Sequence, residues 1–308
     1  MSIKTIIELG VVLFLIPSLV YAGPGTSSLE FLKLPVCVRP LGMGEAFSAV
    51  ADDPDALYWN PAGLVQLYDK QFTFVYNIHH VSIGSSCFTY AQPIGDFDAI
   101  GLSFLFLFDE EVMRDESGDR IGTFYNGDKA LIFGYAHQIM PELLIGTNIK
   151  IFLHQLYSYD AAGYAFDGGM ILRLLEDKSL KIALSLKNMG PPMDFLGSSE
   201  PLPFDCKLGL AYQPPDGSVI LSSDINLNDP SLQLGLEYVF AKTLSLRMGY
   251  RTNTGYLGFI YGFTFGAGFK WENIGIDYAF APYGPLGIMQ TFSFTVSFGP
   301  PFSEWMTK

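Results

Sequence analysis

From Lys70 onward the chain falls into segments of about ten residues in which two kinds of side chain alternate, the period-2 signature of a strand whose two sides meet different surroundings. The rhythm is cleanest near the C-terminus. Phe292, Phe294, Val296 and Phe298 share one face, while Thr291, Ser293, Thr295 and Ser297 share the other. Leu232, Leu234, Leu236 and Tyr238 likewise oppose Ser231, Gln233, Gly235 and Glu237, and Ile274, Ile276, Tyr278 and Phe280 oppose Asn273, Gly275, Asp277 and Ala279. Beyond the N-terminus no run of 18 or more apolar residues occurs, which excludes helical membrane spans.

What remains is an all-β chain, and composition says what surrounds it. Hydrophobic residues make up 49% and charged residues 16%, against about 25% charged in soluble domains. A soluble barrel turns its apolar face inward and covers the other with Lys and Glu. Here the second face carries mainly Gly, Ala, Ser and Thr, which suits a crowded interior, and the Leu, Phe and Ile face suits lipid. The expectation is a transmembrane antiparallel β-barrel.

Fourteen strands are expected, beginning near Lys70, Gly84, Asp98, Lys129, Leu143, Ala162, Ser179, Pro203, Ser218, Ser231, Thr243, Gly262, Asn273 and Gln290. An even number lets both ends of the sheet meet. Every second link is short: Pro93 to Phe97, Pro141-Glu142, Leu175 to Lys178, Pro214 to Gly217, Ala241-Lys242 and Glu272. These fit the periplasmic turns of bacterial barrels. The alternate links include the longest, Asp109 to Asp128 and Pro191 to Leu202, expected as outward loops; the first holds seven acidic and two basic residues and reads as solvated. Tyr157, Tyr159, Tyr256, Trp271 and Tyr283 near strand ends are candidates for interfacial girdles.

Lys4 precedes an apolar run from Leu9 to Val20, and Val20-Tyr21-Ala22 offers a cleavage site. Residues 1–22 therefore read as a signal peptide, with the mature chain starting at Gly23 and bound for the bacterial outer membrane. Residues 70–299 are assigned to the barrel and 300–308 to a tail.

Residues 23–69 differ from everything after them. Gly42 and Gly44 flank Met43, where backbone can take positive φ and approach other backbone closely. Asp53-Pro54 reads as an N-cap and first helical residue, giving a short helix through Tyr58, which Asn60 before Pro61 stops. A stretch this short rarely holds a core alone. A fourteen-stranded bore is also too wide for wall side chains to fill. Both arguments lead to the same expectation, an N-terminal plug inside the lumen, with Arg39, Gly42, Gly44, Asp52, Asp53, Asn60, Pro61 and Gly63 in structural or gating positions. Phe47, Leu57 and Trp59 are either plug core or contacts for a hydrophobic ligand. Gly168-Gly169, inside the sixth strand, marks either a wall kink that opens sideways to lipid or space for the plug.

The pattern R-x-L-G-M-G-E-A-F-x-A-x-A-D-D-x-x-A-x-x-x-N-P-A-G-L, from Arg39 to Leu64, resembles the N-terminal signature of the PorV/PorQ family of outer-membrane proteins, relatives of the FadL-type channels. The segments Ser185 to Met193 and Gly275 to Gly287 are similar to the same family. The resemblance implies a plugged barrel that works with protein-secretion machinery and exported proteins. Its FadL side implies the alternative, a channel for uptake of hydrophobic small molecules. A structural or adhesive surface protein is a third class.

Other chemistry is poorly represented. With 18 basic and 31 acidic residues and a net charge of -13, the chain lacks the basic face that nucleic acid requires. Gly42-Met43-Gly44 lacks the third glycine and the βαβ setting of a dinucleotide loop. Asp52, Asp53 and Asp55 read as capping and pairing groups with Arg39 as the natural partner, acid/base work or calcium binding being the weaker alternative. His79 and His80 are adjacent and so point to opposite faces of a strand. Cys37, Cys87 and Cys206, odd in number and widely spaced, read as buried thiols rather than a disulfide framework. No serine has a nucleophile elbow. The chain is read as a non-enzyme without cofactor or metal, whose partners are outer-membrane lipid and its cargo.

Overall fold

The computed structural model describes residues 29–78, 83–157, 159–195, 197–252, 258–283 and 287–299. The expected signal peptide, the start at Gly23, the tail 300–308, His79, His80 and Tyr256 lie outside the described residues.

Among the described residues sixteen strands follow one another: β1 (Gln71–Ile78), β2 (Ile83–Ile94), β3 (Asp98–Arg114), β4 (Arg120–Met140), β5 (Leu143–Leu156), β6 (Tyr159–Leu174), β7 (Leu180–Met189) and β8 (Met193–Phe195). Then come β9 (Ser198–Glu200), β10 (Asp205–Tyr212), β11 (Val219–Asn226), β12 (Ser231–Phe240), β13 (Leu244–Arg251), β14 (Phe263–Trp271), β15 (Ile274–Pro282) and β16 (Ile288–Ser297). β8 and β9 pair only with each other. The other fourteen close into one antiparallel barrel in chain order, with β16 returning to β1 from Gln71 opposite Ser297 to Ile78 opposite Gln290.

Exposure settles which face is inside. Along β12, Leu232, Leu234 and Leu236 are 36, 43 and 40% exposed, while Gln233 and Glu237 are 2 and 3%. The small and polar face is the interior, and the apolar face is turned outward as a lipid-facing barrel requires. The six short links are tight turns, and several use non-glycine residues at positive φ. Ala241 and Lys242, at φ 50 and 58, are the central residues of the turn closed by the Thr243 amide on the Phe240 carbonyl at 3.1 Å.

Thirteen expected strand starts lie within three residues of those found; β4 is the exception, beginning at Arg120 rather than Lys129. The Asp109 to Asp128 link is therefore not a loop but the outer half of a long β3–β4 hairpin. Beyond the lipid both faces of a ribbon meet water, so the alternation that marks a strand in sequence disappears. Its tip is tied by the Asp115 carboxylate, which accepts from the amides of Ser117 and Asp119, each at 2.9 Å. The Pro191 to Leu202 link likewise contains the small β8–β9 ribbon.

Two short helices, α1 (Val38–Gly42) and α2 (Ala56–Trp59), and two 3-10 turns, Glu30–Lys33 and Pro61–Gln66, make up the N-terminal segment. The expected helix begins two residues late, at Ala56, after a turn in which the Asp53 carbonyl accepts from the Ala56 amide and its carboxylate from the Asp55 amide. Asn60, extended at φ -158, ends α2 before Pro61. Helix α1 lies against β13 to β15 and the Pro61–Gln66 turn against β2 to β6. Cys37, Cys87 and Cys206 are free, buried thiols. Tyr157, Tyr159 and Trp271 stand exposed at strand ends, but Tyr283 turns inward, its ring under the Arg251 guanidinium at 4.5 Å.

Candidate functional site

The N-terminal segment meets the barrel wall through three kinds of contact, and each depends on the sequence locally. The first is backbone against backbone. Gly44, at φ 63, donates its amide to Thr264 Oγ1 at 3.0 Å. A Cβ there would stand 2.6 Å from the Tyr250 amide nitrogen, and a Cβ on Gly249 would stand 1.9 Å from the Gly44 nitrogen. Gly42 rests on Gly266 in the same way. Glycines on both surfaces let two backbones touch where side chains would hold them apart.

The second contact is ionic. Arg39 on α1 donates through Nη1 to Asp52 Oδ1 at 2.5 Å and Asp53 Oδ2 at 2.9 Å, and through Nε to Glu237 Oε2 on β12 at 2.7 Å. Arg247 on β13 continues the chain, 3.5 Å from Glu237 and 2.6 Å from Asp277 on β15. These groups border a cavity of about 290 Å³ at the short-turn side. A second bridge joins Glu45 to Arg251 at 2.5 Å, and Arg251 also donates to the Tyr283 hydroxyl at 2.9 Å. The wall carries its own buried pair, Lys150 with Asp167 at 2.8 Å.

The third kind couples wall side chains to the segment's main chain. Asp224 accepts from the Phe47 and Ser48 amides. Asn148 and Ser185 donate to the carbonyls of Leu57 and Trp59, each at 2.7 Å. Asn60 folds the segment onto itself, donating to the Ser48 carbonyl and accepting from the Ala62 amide. Gly63 serves the same end, since a Cβ there would overlap the Ala51 carbonyl. Such bonds satisfy backbone groups that a non-repetitive segment would otherwise bury unpaired.

Arg39, Gly42, Gly44, Asp52, Asp53, Asn60, Pro61 and Gly63 thus lie in one contiguous block. Phe47, Leu57 and Trp59 are 0, 1 and 2% exposed. Phe47 lies under the Arg39 guanidinium at 5.3 Å, and the Trp59 ring is flanked by Lys187 at 5.0 Å and Lys207 at 4.8 Å. In this conformation all three are packing residues. The wall partners Glu237, Arg247, Arg251, Asp224 and Lys150 were not singled out from sequence. Their signal was present as isolated charges on the small-residue face, where lipid-facing chemistry does not explain them.

Gly168 and Gly169 occupy different environments. Both stay in register with β5, opposite Thr147 and Gly146, and the irregularity on the β7 side falls between Phe166 and Gly168, near Asn188 at φ 60. A Cβ on Gly169 would lie 2.0 Å from Asn60 Oδ1, whereas one on Gly168 would meet only the Met189 methyl at 3.8 Å. Gly169→Val is expected to destabilise the fold by about 2 kcal/mol through overpacking, and Gly168→Val by less than about 1 kcal/mol; urea midpoints of the two variants check the contrast.

Electrostatics make the ionic contact sensitive to pH. Burial works against charged Arg39, but Asp52, Glu237 and Asp53 outweigh it and hold the guanidinium pKa above its ordinary value. Burial is also the largest influence on Asp53 and pushes it up to about 6; Arg39 pulls it down, while Asp52 and Glu237 push it back up. Asp52 is affected by burial in the same sense, yet Arg39 and Lys181 leave it below its ordinary value. A carboxyl raised in the folded state binds its proton more tightly there, so its effect on stability grows as pH falls from 7 through 6. Hydrogen-exchange protection of residues 38–66 should therefore rise over that interval. In Asp53→Asn the part of the rise centred near pH 6 should be gone.

No protein-family model matches the sequence, and no curated protein does. Solved structures do match. The CymD monoaromatic hydrocarbon channel superposes with a TM-score of 0.61 over 85% of this chain and 98% of that one, at 13% identity. A FadL homologue of Pseudomonas aeruginosa gives 0.59 over 84% and 97% at 11% identity. The toluene transporter TbuX of Ralstonia pickettii gives 0.58 over 85% and 98% at 13% identity. At these identities the likeness is one of architecture: the chain has the fourteen-stranded fold of FadL-like outer-membrane barrels.

Proposed function

We propose that this protein is an outer-membrane channel for hydrophobic small molecules, with residues 23–69 acting as a plug whose displacement opens the bore. The observation that carries the reading is the set of polar and ionic bonds between segment and wall beside an apolar cluster that the two share. Arg39 to Glu237, Glu45 to Arg251 and the Phe47 and Ser48 amides to Asp224 are bonds that water can replace when the segment moves, and the apolar cluster that Leu41, Phe47, Leu57 and Leu64 form with Leu105, Ile132 and Leu144 of the wall would then open to apolar cargo. Solved structures of the same architecture bear the names of a monoaromatic hydrocarbon channel and toluene transporters, which supports cargo of that class. Outer-membrane lipid then surrounds the apolar outer face.

In this reading Phe47, Leu57 and Trp59 become available to cargo only once the plug moves. A sideways exit through the wall near Gly168-Gly169 is a separable part of it. Gly168→Val leaves the plug contacts alone, so unchanged cargo flux in that variant would remove the sideways exit. The protein-export role implied by the PorV/PorQ resemblance rests on the motifs alone, since the architectures compared above carry names of small-molecule channels and transporters.

The test is uptake. Gram-negative cells carrying the protein in their outer membrane should take up radiolabelled toluene or decanoate several-fold faster than cells without it. Equal rates for both compounds, with the protein shown to be folded in the membrane, would overturn the reading.

A further inference from the structure

A second cavity, of about 450 Å³, opens at the short-turn end where β6, β7 and the Pro214 to Gly217 turn meet the end of the N-terminal segment. Arg173 on β6 and Lys181 on β7 line it and stand directly opposite one another in the ladder. Like charges in that position repel. Both nevertheless converge on one neutral atom, Gln66 Oε1, at 3.3 Å from Arg173 Nη2 and 2.9 Å from Lys181 Nζ. Lys181 is only 7% exposed, and its remaining bond is a long one of 3.4 Å to the amide oxygen of Gln213.

Two carboxylates border the cavity, and both are committed elsewhere. Asp52 is bound to Arg39, and Asp177 accepts from the amide and hydroxyl of Ser179. Among the described residues neither Arg173 nor Lys181 forms an ion pair. An ammonium has three donors and a guanidinium five, and here they make three bonds in all, every one to an amide oxygen. Asp52 attracts Lys181 but pairs with Arg39, and a buried cation with no carboxylate in contact is costly. Both side chains line the cavity, so its wall carries a repelling cation pair with donors to spare.

We propose that this cavity binds the carboxylate of a small organic acid, held between Arg173 and Lys181. A carboxylate supplies two acceptor oxygens in the planar arrangement that a guanidinium matches best. It also relieves the repulsion across the ladder. The volume admits an acid with a body, and Tyr68 and Pro214 offer that body apolar surface.

The test is equilibrium dialysis of the full chain, purified in detergent at low ionic strength, against radiolabelled benzoate and, separately, acetate. Saturable binding of at least one is expected. Lys181→Gln and Arg173→Gln should each weaken it about tenfold or more, while Lys181→Arg, which keeps the charge, and Lys242→Gln on another short turn should leave it within about twofold. Retained binding by Lys181→Arg shows that loss in Lys181→Gln is not misfolding. Tighter binding of benzoate than acetate assigns the site to acids with an apolar body, and equal binding assigns it to the carboxylate alone; each supports the proposal. Absence of saturable binding by both probes, or equal binding by wild type and both glutamine variants, would overturn it. Because the assay measures binding without transport, its outcome is independent of whether the barrel conducts toluene or decanoate.

Discussion

Gly249→Val unseats the N-terminal segment while leaving the barrel closed. The valine Cβ would have to occupy the position 1.9 Å from the Gly44 nitrogen, and the nearest atoms are all main chain of Met43 and Gly44. Flexible side chains can rotate away from such an intrusion, but backbone pinned by an amide bond to Thr264 cannot. The cost falls at the upper end of overpacking, about 3 kcal/mol. It falls on the segment rather than on the wall, because β13 keeps its partners β12 and β14 through ladders that do not involve the side chain. In planar bilayers the variant should show conductance many-fold above wild type, and protease should cut between residues 38 and 66. A variant that stays sealed and protected would show that the contact at Gly44 does not hold the segment in place.

Arg39→Ala should release the same segment by a different route. The substitution leaves Asp52, Asp53 and Glu237 with no shared cation, at side-chain exposures of 21, 21 and 4%. Removing one partner of a buried ion pair costs about 3–5 kcal/mol, because the charge left behind has lost its water as well. Asp52 and Asp53 are partly wet, which favours the lower end. The loss should be largest at neutral pH and shrink in acid, as the stranded carboxylates take up protons. Conductance compared at pH 7 and pH 5 checks both statements. Equal leak at the two values would mean that the three carboxylates do not govern the effect.

Much of this architecture is written in the chain as alternation, since a strand with lipid on one side and packed protein on the other has to alternate. Where one of those neighbours is missing, the signal fades. Residues 109–114 and 120–128 form ribbon with water on both sides, and their acidic residues hide the strand. Arg39, Asp52 and Asp53 could be grouped from sequence because one motif carries them. Their partner Glu237 lies 198 residues away from Arg39 and only the barrel's closure brings them together. Tyr283 has an ordinary strand-end position in sequence, yet Arg251 draws it inward. Gly169 and Gly168 are indistinguishable as letters, and only the position of Asn60 separates a crowded site from an empty one.

The pairing of Gln71 with Ser297 has a bearing on how the molecule is assembled. Bringing together residues so remote along the chain is among the slowest events in folding, since the whole intervening polypeptide must first be ordered. Gly42 against Gly266 and Gly44 against Gly249 bring residues 38–66 into backbone contact with the β13–β14 hairpin. A sheet that curled around residues 38–66 already in place would bring β1 and β16 together last, and hydrogen exchange pulsed during refolding would then show that strand pair protected after all the others.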